Sequence, residues 1–294
     1  METVQKTGLV LEGGGMRSMF TNGVLDILMQ EGIQMDAMVG VSAGTLFGCN
    51  YKSRQQGRAL RYNMRFTGDS RYMSWKSWFS TGDFVNVPFS YETLPYHLDP
   101  FDFDTFHDNP MPFWSVSTDI VNAQPVYTQI RDARGTGLQY MRASASMPFF
   151  ARPVHLDGQV LLDGGISDSI PLRFLQEQGY RRCVVVLTQP PTYRKTRARL
   201  VYWFLRFWCH RYPQIARMMD IRHEVYNAQL DYVARQAAEG NALLICPDRP
   251  LDIGRLEMNR QKIQAIYDAG REKTLQMLDE IRRFVSAGQP QTSE

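Results

Sequence analysis

The chain has 294 residues, 44% of them hydrophobic and 21% charged, a composition that fits a water-soluble folded protein and excludes disorder, collagen and coiled coil. No apolar run reaches the roughly eighteen residues needed to span a bilayer, and Met1 to Lys6 lack the charged start and apolar stretch of a leader, so a cytoplasmic protein is expected. The formal net charge of +3 hides an uneven distribution: from Arg181 to Arg222 ten basic side chains face one acid, Asp220, whereas Asp83 to Ile120 holds seven acids and no Lys or Arg, which predicts faces or ends of opposite field.

Thr7 to Glu12 (TGLVLE) reads as a short buried strand that Gly13-Gly14-Gly15 breaks. A helical pattern follows from Met16 to about Glu31, with Phe20, Val24, Ile27 and Leu28 as its apolar stripe and Gly32 as its stop. Residues 35–41 (MDAMVGV) form a second strand, running into SAGTLFG and another helix. Strand, glycine turn and helix, repeated at once, predict an α/β fold with a mostly parallel sheet and right-handed crossovers.

Residues 50–113 are aromatic, acidic and poorly periodic, and are expected to form an excursion over one edge of the sheet. Residues 112–120 and 124–130 read as strands, 138–147 as a small-residue helix, and 154–165 as a hairpin turning at Asp157-Gly158. Residues 182–189 (RCVVVLTQ) suit a central parallel strand, and 242–248 another strand. Helices are expected near 199–211 and 213–239, and one long helix over 260–285. No repeat, low-complexity tract or Gly/Ser linker divides the chain, so one domain is expected over 1–294, with its motifs in about 7–189 and an extension over about 190–294. The four cysteines, Cys49, Cys183, Cys209 and Cys246, form no CxxC pair and suit reduced buried thiols better than disulfides or a zinc site.

Three places could carry chemistry. Gly40-Val41-Ser42-Ala43-Gly44 is a GxSxG between a strand and a helix start, either a nucleophile elbow, whose small neighbours let the backbone double back, or a plain tight turn. Glu12-Gly13-Gly14-Gly15-Met16-Arg17 leaves bare amides at a helix N-terminus, either a nest for an anion or a plain turn. That anion could be a tetrahedral oxyanion or a dinucleotide pyrophosphate; a Walker loop lacks its GxxxxGK, and a GxGxxG is missed because Ser18 stands last. Arg17 is by default a solvated first-turn side chain. Asp163-Gly164-Gly165 ends an apolar run, so Asp163 is either a turn residue or a carboxylate whose burial would raise its pKa toward that of a general base. A conventional triad fits poorly, because only His210 and His223 follow Asp163 and only one strand and helix precede the strand that runs into Ser42.

The three sites together resemble the patatin-like phospholipase family: Gly13-Gly14-Gly15-x-Arg17, Gly40-x-Ser42-x-Gly44 and Asp163-Gly164-Gly165, in that order. RASASMPFFARPV (142–154) and DGGISDSIPL (163–172) are similar to the family's small-residue helix and post-aspartate turn, so the resemblance covers about Thr7 to Gln189. It implies a three-layer α/β/α fold, a Ser42–Asp163 dyad, an oxyanion hole at Gly13, Gly14 and Gly15 supported by Arg17, and no metal or cofactor. The implied substrate is a phospholipid or another acyl ester, with no nucleic-acid partner. Two residues depart from the pattern: Ser18 stands where glycine is usual, and Asp168 where asparagine is common, so Asp163 and Asp168 would titrate as a pair if they are close. The rival readings are a soluble acyl esterase or thioesterase and a non-catalytic binding protein of the same fold. Residues 194–219 mix arginines with Trp203, Phe204, Phe207 and Trp208, so they either dock on the anionic inner face of a membrane or form a core helix with a solvated basic side.

Overall fold

The computed structural model describes residues 6–197 and 212–287. Its sheet runs in the order β5-β6-β3-β2-β1-β7-β8, with β4 pairing β3 from outside this path. The strands are β1 (Thr7–Leu11), β2 (Ala37–Val41), β3 (Phe113–Asp119), β4 (Gln124–Gln129), β5 (Val154–Leu156), β6 (Gln159–Asp163), β7 (Arg182–Val186) and β8 (Ala242–Ile245). β1, β2, β3, β7 and β8 are joined by parallel pairings, whereas β4 and β6 run antiparallel to β3, and β5 antiparallel to β6. The hairpin turns at Asp157 and Gly158, both at positive φ, as its Asp-Gly pair predicts.

Every residue of β1 and β2 is buried, because each strand is covered on both faces. Leu9, Leu11, Met38, Val184 and Val186 point to one side, where they pack with Phe20, Val24 and Ile263. Val10, Val39, Val185 and Leu187 point to the other, against Leu175, Tyr226 and Leu230. The two-residue alternation thus builds two apolar layers and the α/β/α sandwich. Helices α1 (Met19–Gln30) and α2 (Ala43–Lys52) cover the first side; α7 (Leu172–Glu177) and α8 (Pro213–Ala238) cover the second. A Cβ on Gly23 would strike Tyr267 O, and one on Gly270 would strike Phe20 O, so glycine on both helices lets α9 (Arg260–Gln276) lie directly on α1.

Two expectations are corrected. Residues 50–113 are largely helical: α3 (Arg58–Phe66), α4 (Trp75–Thr81), a π-helix over Phe89–Leu98 and α5 (Phe103–Asp108), whose buried aromatics join the core on the α1 side. The single terminal helix is two, α9 and α10 (Leu278–Ser286), because the chain turns at Met277 and so buries Ile281 and lays Phe284 against the Arg182 guanidinium. Many acids between 83 and 120 are spent locally, Asp99 on Arg61 at 2.7 Å and Asp102 on capping α5. Cys49, Cys183 and Cys246 are buried free thiols; Cys209, His210 and the helix expected over 199–211 lie outside the described residues.

Candidate active site

The register of β3 brings Ser42 and Asp163 together. Its first half pairs with β2, ending at Val41 opposite Val116, and its next residue, Ser117, pairs with Asp163 of β6. β6 therefore takes up the sheet where β2 leaves it, and the residue following Val41 meets the last residue of β6. Ser42 Oγ donates to Asp163 Oδ2 at 2.6 Å.

Ser42 has φ +56° and ψ −126°, a strained conformation for a non-glycine residue that lifts its side chain off the end of the strand. Its flanking glycines are required by close approach: a Cβ on Gly40 would lie 2.7 Å from Thr45 N, and one on Gly44 2.6 Å from Leu11 O. The Ser42 amide donates to Ser144 Oγ at 2.9 Å, and Ser144 also pairs with Thr45 Oγ1 at 3.0 Å. Ser144 belongs to α6 (Thr136–Ser144), so the small-residue helix braces the elbow.

Asp163 is held as firmly. Its amide donates to Ser146 O at 2.9 Å, its carbonyl accepts from Thr118 Oγ1 at 2.8 Å, and its Oδ1 accepts from the Gly165 amide at 2.7 Å. A Cβ on Gly164 would strike Val116 O, which explains the first glycine of the DGG. Burial pushes the Asp163 carboxyl above the ordinary range, against the opposing pull of Ser42, the Gly165 amide, Arg222 and Arg255. Asp168 is not paired with it, because its oxygens accept from Tyr127 and Gln229, each at 2.7 Å.

The glycine loop stands next to this pair, a Cβ on Gly13 falling 2.8 Å from Ser42 Cβ. Among the described residues, the amides of Gly13, Gly14 and Gly15 have no acceptor, whereas those of Glu12 and Met16 on either side donate to Val186 O and Arg255 O. Glu12 anchors the loop: Oε2 accepts from the Thr188 amide at 2.6 Å and Oε1 from Tyr226 Oη at 2.7 Å. Ser18 has φ −70°, so serine suits a position where the resemblance leads one to expect glycine. Arg17 is not a solvated side chain; it is half-buried and lines the cavity over Ser42.

Two cavities meet at Ser42. One, of about 340 Å³, is bordered by the glycine loop, Asp163 and Arg222. The other, of about 190 Å³, is walled by side chains such as Leu46, Phe47, Tyr62, Leu94, Met141 and Phe150. His223 borders the larger cavity, but its Nδ1 lies 2.9 Å from Asp220 O, and among the described residues no imidazole bonds Ser42 or Asp163. If the chain hydrolyses acyl esters as the resemblance implies, His223→Ala is expected to stay within a few-fold of wild type in a steady-state assay; collapse would restore a role for imidazole.

A family model described as patatin-like phospholipase matches residues 9–175, more than half of the chain. The chain belongs to the patatin-like phospholipase family. A second model, a domain of unknown function (DUF6363), matches residues 212–286. Among similar proteins, the uncharacterized protein YjjU of Escherichia coli K12 is 32% identical over 194 residues, 63% of this chain and 52% of that protein. The lysophospholipase NTE1 of Scheffersomyces stipitis is 27% identical over 281 residues, 90% of this chain but 17% of that protein. The chain thus spans about half the length of the first and a small part of the second. The solved structure of VipD from Legionella pneumophila aligns at 12% identity and a TM-score of 0.46, covering 94% of this chain and 67% of that one.

The motif residues of this patatin-like chain converge, and several others join them without having been singled out from sequence. Ser144 was hidden in a helix of small residues, although RASAS marked that helix. Lys195, Arg222 and Arg255 reach the larger cavity from beyond the stretch that carries the motifs.

Proposed function

We propose that the protein is a lipid acyl hydrolase of the phospholipase A type, cleaving carboxylic esters through an acyl-serine on Ser42 with Asp163 as base. One observation carries this reading: the 2.6 Å contact from Ser42 Oγ to a buried carboxylate, where an apolar cavity meets a second one bordered by the glycine loop and Arg222. Ser42 Oγ attacks the ester carbonyl carbon as its proton passes to Asp163 Oδ2, and the resulting oxyanion faces the free amides of Gly13 to Gly15. Collapse expels the alcohol, which takes that proton from Asp163. Water, deprotonated by Asp163, then attacks the acyl-serine and releases the acid, and the returned proton restores Ser42. Every step uses side chains and amides alone, so the chemistry needs neither metal nor cofactor.

The apolar cavity supports a single hydrocarbon chain: an apolar void of about 150 Å³ takes a benzene-sized guest, and this one, at about 190 Å³, is slightly larger and opens at Ser42. Relatives named as lysophospholipases point the same way. The packing of α9 on α1 supports treating residues 1–294 as one hydrolytic domain. Among the described residues no helix is long and apolar enough to cross a membrane, and a cytoplasmic protein touching the inner membrane face remains part of the proposal. The docking segment 194–219 supports it less simply than its composition suggests, because Arg194 pairs with Asp231, Arg197 with Asp220, and Lys195 turns inward; residues 198–211 lie outside the described residues. Sedimentation with anionic vesicles that falls as salt rises is the expected sign of docking.

The deciding experiment is a fluorophosphonate adduct mapped by mass spectrometry, together with fatty-acid release from a lysophospholipid. Label on Ser42, and loss of both label and release in Ser42→Ala, are expected. Release that survives Ser42→Ala sinks the proposal, and activity confined to short water-soluble esters favours the esterase reading.

A further inference from the structure

The larger cavity holds more positive charge than acyl transfer uses. Arg17 enters it from the turn after the glycine loop, Lys195 from the segment after β7, Arg222 from α8 and Arg255 from the loop after β8. Among the described residues none of the four has an ion-pair partner, although Arg194 and Arg197 beside them both do. The carboxylates closest to hand are already engaged. Glu12 accepts from Thr188 and Tyr226, and Asp163 accepts from Ser42 and the Gly165 amide.

Three of these side chains are half-buried and held by the protein, whereas Arg255 is exposed and is tied down through its backbone. Arg17 Nε is buried and donates to nothing. Lys195 is clamped to α8 through Asn227, its amide donating to Asn227 Oδ1 at 2.9 Å and its carbonyl accepting from Asn227 Nδ2 at 3.0 Å, while its Nζ lies 3.7 Å from the centre of the Tyr226 ring. Arg222 Nε donates to Gly165 O, which sets its guanidinium beside the base. The Arg255 carbonyl accepts from the Met16 amide at 3.0 Å, which fixes the backbone of that residue to the glycine loop.

We propose that Arg17, Lys195, Arg222 and Arg255 form a subsite for a phosphate ester on the leaving-alcohol side of the scissile bond, so that the favoured substrates are acyl esters carrying phosphate near the ester. The proposal rests on the acyl-hydrolase reading, which seats the acyl chain in the apolar cavity and leaves the cationic one for the alcohol. An uncharged alcohol gives three unpaired guanidiniums and the Lys195 amine no anion to bind. A phosphate monoester brings up to two negative charges and three acceptor oxygens, matching planar guanidinium donors and one ammonium. Burial, then the charge of Arg222, hold the Lys195 pKa down to about 6, so at neutral pH Lys195 is largely uncharged until a bound anion offsets the neighbouring arginines and it takes up a proton to become the ammonium.

The test compares 1-acylglycerol 3-phosphate with the 1-acylglycerol of the same chain, in the wild type and in Lys195→Gln/Arg255→Gln. The wild type is expected to prefer the phosphate ester in kcat/KM, and the double variant to lose at least tenfold of that preference, mainly through KM. Lys195→Arg, which keeps the charge, should restore part of it beside Arg255→Gln. Calorimetry of glycerol 3-phosphate on Ser42→Ala protein reads the subsite without turnover, and tenfold weaker binding is expected when Lys195 and Arg255 are also replaced. An unchanged preference in a folded double variant overturns the proposal. So does glycerol 3-phosphate binding with no preference between the lipids, which would mark a site for free phosphate. Binding without hydrolysis of any acyl ester would instead fell the acyl-hydrolase reading and leave an anion site standing.

Discussion

Asp163→Asn is expected to lower kcat by ~10²–10⁴, the usual worth of a positioned general base, while making the folded protein more stable at neutral pH. Asparagine keeps the shape of the site, since its carbonyl can accept from the Gly165 amide and its amide can donate to Ser42 Oγ; what disappears is the acceptor for the serine proton. The stability change follows from the raised carboxyl, whose chief cause is burial. A carboxyl with a folded pKa above its unfolded value stabilises the protein below the unfolded pKa, and that contribution is lost as pH rises through the folded pKa. Above that range the wild type carries a buried charge that Asp163→Asn lacks, so the variant should melt at a higher temperature. The gap should close in acid, where both side chains are neutral. In the proposed mechanism the same shift sets activity, because Asp163 acts as a base only when ionised, and the rising limb of kcat/KM against pH should lie above the ordinary carboxylate range. Melting curves and a pH profile check both halves. A variant that is inactive and less stable across this range would show Asp163 to be a structural anchor.

How much of this was legible from sequence depends on which forces fix each part. β1 and β2 were plain because burial on both faces leaves an unbroken apolar run, and the motifs named Ser42, Asp163 and the glycine loop. The contact between Ser42 and Asp163 was not readable residue by residue, since it arises from β3 pairing first with β2 and then with β6. In α3 the helical period is masked because Arg58 is buried between the rings of Tyr62 and Phe101, at 5.4 and 5.2 Å, so an arginine occupies a core-facing position. The basic run from Arg181 to Arg222 read as a surface field, yet Lys195 and Arg222 turn inward while Arg194 and Arg197 pair outside. Linear charge density does not say which way a side chain points, and Arg255 lies outside the run altogether.

The glycine loop should separate two kinds of damage. Gly14 has φ −169°, extended backbone open to any residue, so the obstacle to substitution is space: a Cβ there would lie 2.8 Å from Thr188 Oγ1 and 3.1 Å from Ser18 Oγ. Thr188 Oγ1 in turn donates to Glu12 Oε2 at 3.0 Å, so the branched side chain of Gly14→Val displaces the anchor of the loop and re-aims its amides. In the proposed mechanism those amides face charge that exists only in the transition state, so kcat should fall by about 10²–10³ for each donor lost, with KM little changed. Ser42 and Asp163 keep their contact in Gly14→Val, so the serine should retain its nucleophilicity. Gly13→Ala differs, because its Cβ would fall 2.8 Å from Ser42 Cβ and 2.9 Å from Val41 O, pressing on the nucleophile itself. That variant should break the hydrogen bond to Asp163, and with it the serine's activation. Steady-state hydrolysis alongside melting temperature, to verify folding, checks the first effect, and the Ser42–Asp163 distance in a crystal structure of Gly13→Ala checks the second. If Gly14→Val changes KM alone, the loop binds ground-state substrate, and tight binding of a dinucleotide by the wild type would return it to the pyrophosphate reading.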